Sequence, residues 1–227
     1  MRIALTQSEG RLAELETELL RRGHEVVRAP LIETRPCLTN EVRRAASVLS
    51  DLPWLLFTSS SGVEAWQTLG MSFQGSSIGT VGQKTAEKVE RLGGQIELIG
   101  EPQTALGLAE SFLGRGEAGP VGMPQGNRAL PTLARALTHK GVEVRPLVIY
   151  HTVQLAWQAD RVDAVVLSSP SAVEALPDRV GTSARLLALG PSTAVAIRER
   201  GWTCLQAERP DPAALITLLE KRAKEPR

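Results

Sequence analysis

The sequence predicts an α/β protein in which parallel strands alternate with covering helices, and three observations predict it. Twice an apolar run stops in small hydroxyl residues and restarts as a helix: Leu55-Leu56-Phe57 before Thr58-Ser59-Ser60-Ser61-Gly62-Val63-Glu64-Ala65, and Val165-Val166-Leu167 before Ser168-Ser169-Pro170-Ser171-Ala172-Val173-Glu174-Ala175. The chain also repeats itself internally. Its strand, turn and helix units follow one another at about 30 residues, the spacing of a parallel sheet clothed in helices.

From the N-terminus, Arg2-Ile3-Ala4-Leu5 gives a strand near 2–5, and Leu12, Leu15, Leu19 and Leu20 give a helix over 10–22 one apolar face. A helix over 39–50 leads to the strand 54–57, whose hydroxyl cluster opens the helix 61–69. The strand 78–81 feeds the helix 83–92, and a strand near 95–98 precedes a helix over 103–113. A helix over 127–139 is followed by a strand over 142–150 that ends in Val148-Ile149-Tyr150. The second cassette supplies the strand 162–167 and the helix 171–176, and a strand at 186–189 feeds the helix 191–200. The final helix, 212–223, has Asp211 as N-cap and Pro212 at its first position.

Three pairs of segments match. Val63-Glu64-Ala65 returns as Val173-Glu174-Ala175, and Thr80-Val81-Gly82-Gln83-Lys84-Thr85-Ala86 resembles Ala188-Leu189-Gly190-Pro191-Ser192-Thr193-Ala194, with Pro102 then matching Pro210. Gly23-His24-Glu25-Val26-Val27-Arg28 resembles Gly141-Val142-Glu143-Val144-Arg145-Pro146. The units therefore run a, b, c, a, b, c. This order admits two tandem halves split near Gly119, or one domain built from both chain ends with the middle inserted. Glu33-Thr34-Arg35-Pro36 and Tyr150-His151-Thr152-Val153 are suitable crossings for the second arrangement.

Composition narrows the function. With 227 residues, 42% of them hydrophobic, the chain has room for one large domain or two small ones, each with a real core. Its 26 basic and 25 acidic residues leave a net charge of +1, so no broad basic face is offered to nucleic acid. Cys37 and Cys204 are too few for a disulfide framework or a thiolate metal site, which suits a reducing cytoplasm. No signal-peptide pattern or membrane-spanning run is present, so a cytoplasmic protein is expected. An anion would be held locally instead, because a strand feeding a hydroxyl-capped helix points backbone N–H groups and the positive end of a helix dipole outward. Two such devices suggest two sites facing one polyanion.

The chain resembles the uroporphyrinogen-III synthase family. The resemblance is carried by Phe57-Thr58-Ser59 with Val63-Glu64-Ala65, Val81-Gly82 with Thr85-Ala86, Pro124 with Gly126-Asn127, Val148-Ile149-Tyr150-His151-Thr152, Ser169-Pro170-Ser171 and Gly190-Pro191-Ser192-Thr193-Ala194. Each motif is short, but their joint order and spacing are specific. The resemblance implies two flavodoxin-like domains, each a parallel sheet with flanking helices, joined by a two-stranded connector: 1–34 with 153–227, and an inserted 36–149. It implies an active site in the cleft between them, no cofactor, no metal and a monomer. The reaction implied is closure of hydroxymethylbilane to uroporphyrinogen III, with loss of water and inversion of the terminal pyrrole ring, as a step of haem and related tetrapyrrole synthesis. The substrate would be handed over from hydroxymethylbilane synthase. No membrane or nucleic-acid partner is implied.

The site residues carried over are Tyr150, the only tyrosine, as proton donor, with Ser59, Ser60, Thr85, Ser169, Ser171, Ser192 and Thr193 as substrate-binding positions. The plain alternative for Tyr150 is a strand-end residue packed at the domain junction; for Ser59, Thr85, Ser169, Ser192 and Thr193 it is a helix N-cap. The chain departs from the family at Ser60-Ser61, where relatives can have Pro-Arg, which leaves Arg11, Lys84 and Arg128 to consider as substitutes.

Other signals carry less. Gly114-Arg115-Gly116-Glu117-Ala118-Gly119 fits a dinucleotide-binding pattern but follows a helix and precedes a strand, the reverse of what such a site needs. His24, His139 and His151 lack metal-ligand spacing, and Trp54, Trp66, Trp157 and Trp202 are scattered as packing residues are. The rival functions are a flavodoxin-like FMN carrier, for which the scattered aromatics offer no ring sandwich, and a non-catalytic two-domain anion-binding protein.

Overall fold

The computed structural model describes residues 1–7, 12–116, 119–206 and 212–221. The described strands are β1 (Arg2–Leu5), β2 (Glu25–Arg28), β3 (Ile32–Pro36), β4 (Trp54–Phe57), β5 (Ser77–Thr80), β6 (Ile96–Ile99), β7 (Val121–Gly126), β8 (Val144–Gln154), β9 (Ala164–Leu167), β10 (Arg185–Ala188) and β11 (Cys204–Gln206). Between them lie α1 (Ala13–Arg21), α2 (Asn40–Ser50), α3 (Ser60–Thr68), α4 (Gln83–Arg91), α5 (Ala105–Gly114), α6 (Thr132–His139), α7 (Pro170–Ala175), α8 (Asp178–Ser183), α9 (Pro191–Glu199) and α10 (Pro212–Lys221). Arg11, Asp211, Pro210, residues 222–227, and Glu117 and Ala118 of the glycine-rich segment lie outside the described residues.

The chain divides into two compact units, one of Met1–Glu33 with Val153–Arg227 and the other Thr34–Thr152. The first holds a five-stranded parallel sheet in the order β11-β10-β9-β1-β2. Numbered within the unit, that is the flavodoxin-like order 2-1-3-4-5. The second holds a six-stranded sheet, β3-β8-β7-β4-β5-β6. Apart from β3 its order matches the first sheet once β7 and β8 are set against β1 and β2, β4 against β9, and β5 and β6 against β10 and β11. The a, b, c repeat of the sequence is thus one sheet order entered at two different points along the chain. Along β3 and β8 the hydrogen-bonded numbers run in opposite senses, with Leu155 N–H on Leu31 O and Cys37 N–H on Ile149 O, so these neighbours form an antiparallel two-stranded connection.

Both faces of each sheet are buried, as helix-covered parallel sheets require. Val165 and Leu167 of β9 enter one cluster with Ala172, Val173 and Trp202, while Ala164 and Val166 enter the opposite one with Leu15, Leu19, Leu215 and Leu219. In the other unit Leu55 and Phe57 pack with Val63 and Trp66, and Trp54 and Leu56 pack with Leu108 and Phe112 on the far side. Trp54, Trp66 and Trp202 are buried and Trp157 is partly so, each as a packing residue. His24 spans to Glu220 at 3.1 Å, tying the end of α1 to α10.

The sequence periodicity misses β2, β3, β7, β11 and α8, which are short or carry no apolar alternation. β7 reads Val121-Gly122-Met123-Pro124-Gln125-Gly126, an unpromising strand by propensity. It is nonetheless internal to the sheet, and its ladder to β4 covers only Val121 and Gly122, so Pro124 takes its place beyond that ladder. The helix expected over 127–139 starts only at Thr132, after Pro131 as its N-cap, because Asn127 bonds to the end of β8 and the Ala129 N–H turns back to the Gly126 carbonyl.

Candidate active site

β4 delivers the chain to Ser59, whose extended backbone makes it the N-cap of α3; its hydroxyl accepts from the Gly62 N–H at 3.2 Å. That first turn runs beside β7, where a Cβ at Gly62 would make an ordinary contact, 3.4 Å from the Pro124 carbonyl. Tyr150, on β8, places its hydroxyl 3.0 Å from Ser59 Oγ. The phenol ring lies against Gly126, where an added Cβ would come within 2.5 Å of Cζ and 2.8 Å of the hydroxyl oxygen, so only glycine admits it. Ser60 opens α3 beside this pair.

At the end of the neighbouring strand β5, the N-cap of α4 is Gly82 rather than a hydroxyl residue. The side chain of Gln103 occupies the space: its carbonyl oxygen accepts from the Gln83 N–H at 3.1 Å and stands 2.7 Å from where a Gly82 Cβ would be. A depression of about 510 Å³ opens here, lined by Thr58, Gly82, Gln83, Lys84, Thr85 and Gln103 among others. Lys84 is exposed on this depression and has no ion-pair partner among the described residues.

The other unit repeats the pattern. Ser169 caps α7, accepting from the Ala172 N–H at 3.2 Å, and its hydroxyl lies 3.1 Å from Ser171 Oγ. Gly190 is the N-cap of α9, followed by Pro191, Ser192 and Thr193. The N-cap alternative therefore holds for Ser59 and Ser169 and is corrected for Thr85, Ser192 and Thr193, which lie inside the first turn behind a capping glycine. Thr85 and Thr193 are only 7% and 1% exposed, so their side chains are packing groups. Ser192 is exposed, so at the α9 turn its hydroxyl as well as the backbone is open to a ligand.

The structure thus brings Ser59, Ser60 and Tyr150 together at one strand end of the Thr34–Thr152 unit, with Thr85 at the next; Ser169 with Ser171, and Ser192 with Thr193, lie at two strand ends of the other unit. Sequence reasoning did not single out Gly82, Gln103, Gly126 or Asn127 as site residues. Gly126-Asn127 was legible only as a matching motif, and nothing in the sequence ties Gln103 to Gln83. Of the candidates to replace the family arginine, Lys84 lines the depression, Arg128 lies exposed in the loop after β7, and Arg11 is outside the described residues. No group of His, Cys, Asp and Glu able to hold a metal ion occurs among the described residues, and burial pushes the Cys37 thiol up, away from a reactive thiolate. No helix among the described residues is long and apolar enough to cross a membrane.

Comparison with known proteins gives one consistent answer. The family model described as uroporphyrinogen-III synthase HemD matches residues 13–217. A protein of Methanothermobacter thermautotrophicus named "Putative uroporphyrinogen-III synthase" is 26% identical, over 91% of this chain and 92% of its own length. The fold is shared with a mutant uroporphyrinogen III synthase of the extremely thermophilic bacterium Thermus thermophilus (TM-score 0.66, 22% identity, 99% of this chain and 100% of that one). It is also shared with the uroporphyrinogen-III synthetase of Helicobacter pylori (TM-score 0.66, 15% identity, 98% and 100%).

Proposed function

This chain belongs to the uroporphyrinogen-III synthase family of cyclising lyases, and from that premise we propose that it closes hydroxymethylbilane to uroporphyrinogen III with Tyr150 as proton donor. The observation that carries the assignment of Tyr150 is its hydroxyl, 3.0 Å from the capping hydroxyl of Ser59 at the N-terminus of α3.

Hydroxymethylbilane bears an acetate and a propionate on each of four pyrroles. Carboxylates of this kind are bound at strand-end rims, chiefly by backbone N–H groups at the helix N-termini, which direct hydrogen bonds without adding net charge. A chain of net charge +1 suits such binding better than a lysine-lined cleft would. Lys84 adds a full positive charge beside the α4 turn.

In the reaction the terminal hydroxyl leaves as water, which needs a proton, and the resulting azafulvene is attacked within the same molecule through a spiro intermediate. A phenol O–H can give that proton, with Ser59 holding the hydroxyl in line. Most of the reactivity belongs to the substrate, which closes unaided to the type I isomer. The protein's share is to hold the chain ends together and choose the attacking carbon.

The test supplies freshly made hydroxymethylbilane to the purified protein and separates the oxidised porphyrin isomers. An excess of type III is expected; type I alone would overturn the proposal.

A further inference from the structure

We infer that Asn127 is a positioning residue that sets the Tyr150 hydroxyl onto Ser59, an assignment that rests on the reading of Tyr150 given above. Its backbone N–H donates to the Tyr150 carbonyl at 3.1 Å, and its side-chain oxygen accepts from the Thr152 N–H at 2.9 Å. One residue of the β7 end therefore grips β8 on both sides of His151.

The grip falls where the ladder is irregular. Gln125 pairs with Val148, yet Gly126 pairs with Tyr150, so β8 carries one extra residue, Ile149, at this point. A bulge of this kind re-aims the side chain that follows it. Here that side chain is Tyr150, and its ring is laid over Gly126, where the missing Cβ gives it room. The far edge of β8 is held at this point by the Cys37 N–H, just past β3, which donates to the Ile149 carbonyl at 2.9 Å. On the β7 edge, where the register shifts, the two Asn127 bonds hold the peptides on either side of His151. Leaving the ring's direction free would alter the 3.0 Å approach to Ser59 without unfolding anything, because Asn127 itself is exposed and lies outside the buried clusters.

Tyr150 is the only tyrosine, so full-length protein labelled with ¹³C-tyrosine gives one phenol-carbon resonance. Asn127→Leu removes the side-chain acceptor for the Thr152 N–H together with the amide and leaves the backbone bond to the Tyr150 carbonyl in place, whereas Asn127→Asp keeps an acceptor oxygen for the Thr152 N–H. Asn127→Leu should move the resonance and lower kcat about tenfold, with KM held within about twofold, as a misplaced catalytic group does. Asn127→Asp should return the resonance towards its original position and recover most of kcat. Combined with Tyr150→Phe, Asn127→Leu should add less than about twofold, since both act through one hydroxyl. An unmoved resonance in Asn127→Leu would overturn the inference. So would a greater loss in Asn127→Asp than in Asn127→Leu, which marks a direct contact of the amide with an acidic substrate, and so would the full tenfold loss persisting beside Tyr150→Phe. If the unmodified protein forms no type III isomer, the reaction assignment falls by itself, and the resonance alone decides the role of Asn127.

Discussion

The hydroxyls of Ser59 and Tyr150 lie 3.0 Å apart although 91 residues separate them along the chain. Ser59 is held by its own capping bond to Gly62, so it presents a fixed partner to the phenol. Tyr150 is seated by the glycine beneath its ring.

Tyr150→Phe should preserve the fold and slow formation of the type III isomer by about 100-fold, the lower end of what a positioned proton donor supplies. Isomer-resolved turnover of fresh substrate checks this. Unchanged turnover removes the phenol from the mechanism.

Ser59→Ala removes both the cap of α3 and the partner of the phenol. Loss of the cap costs about 1 kcal/mol, which for a chain of this size lowers the melting temperature by about 2–4 °C. Activity should fall less than in Tyr150→Phe, because the phenol keeps its own proton. Thermal denaturation and turnover, measured on the same preparation, separate the two effects.

Gly126→Ala should do more damage than Ser59→Ala. The new methyl group would stand 2.5 Å from Tyr150 Cζ, so the ring must leave its seat. A cost of about 1–3 kcal/mol is expected from overpacking, with type III synthesis impaired even at temperatures where the protein is folded. Circular dichroism with parallel isomer analysis reports both.

Gln103→Glu puts a carboxylate where the amide oxygen now accepts from the Gln83 N–H. An anion at a helix N-terminus is stabilising by about 0.3–1 kcal/mol, so the melting temperature should rise slightly. A tethered carboxylate also competes for the turn that the substrate's own carboxylates would use, and KM should rise with kcat nearly unchanged. Steady-state kinetics at several salt concentrations would show the effect shrinking as charge is screened.

Acid sensitivity has one identifiable source in α1. Hydrogen bonds from Arg21 and then Arg22 hold the Glu18 carboxyl down to about 2, against an ordinary 4.5. A carboxyl lowered by folding contributes stability that is fully present above the unfolded value and is lost as pH falls through the folded one. Between about 4.5 and about 2, therefore, stability should decline more steeply in the unmodified protein than in Glu18→Gln. Melting temperatures across that range test the slope.

The amino-acid sequence by itself determined the α/β class, the repeated strand-to-helix cassettes and the capping roles of Ser59 and Ser169. These are legible along the chain: a buried apolar run and a hydroxyl at a helix start are each written within about a dozen residues, and the alternation of strand and helix recurs at about 30. Even β9 and β4, buried on both faces, announce themselves as unbroken apolar runs. Only the tertiary structure decided that β7, with its glycines and proline, is an internal strand, and that Gly82 and Gly190 cap their helices where hydroxyl residues stood nearby. It alone brought Tyr150 to Ser59, Gln103 to Gln83 and Asn127 to Thr152. Each of those pairings joins elements that meet only after the sheets have formed. Their geometry depends on a ladder irregularity and on the space left by a missing Cβ, and neither leaves a periodic trace in a linear chain.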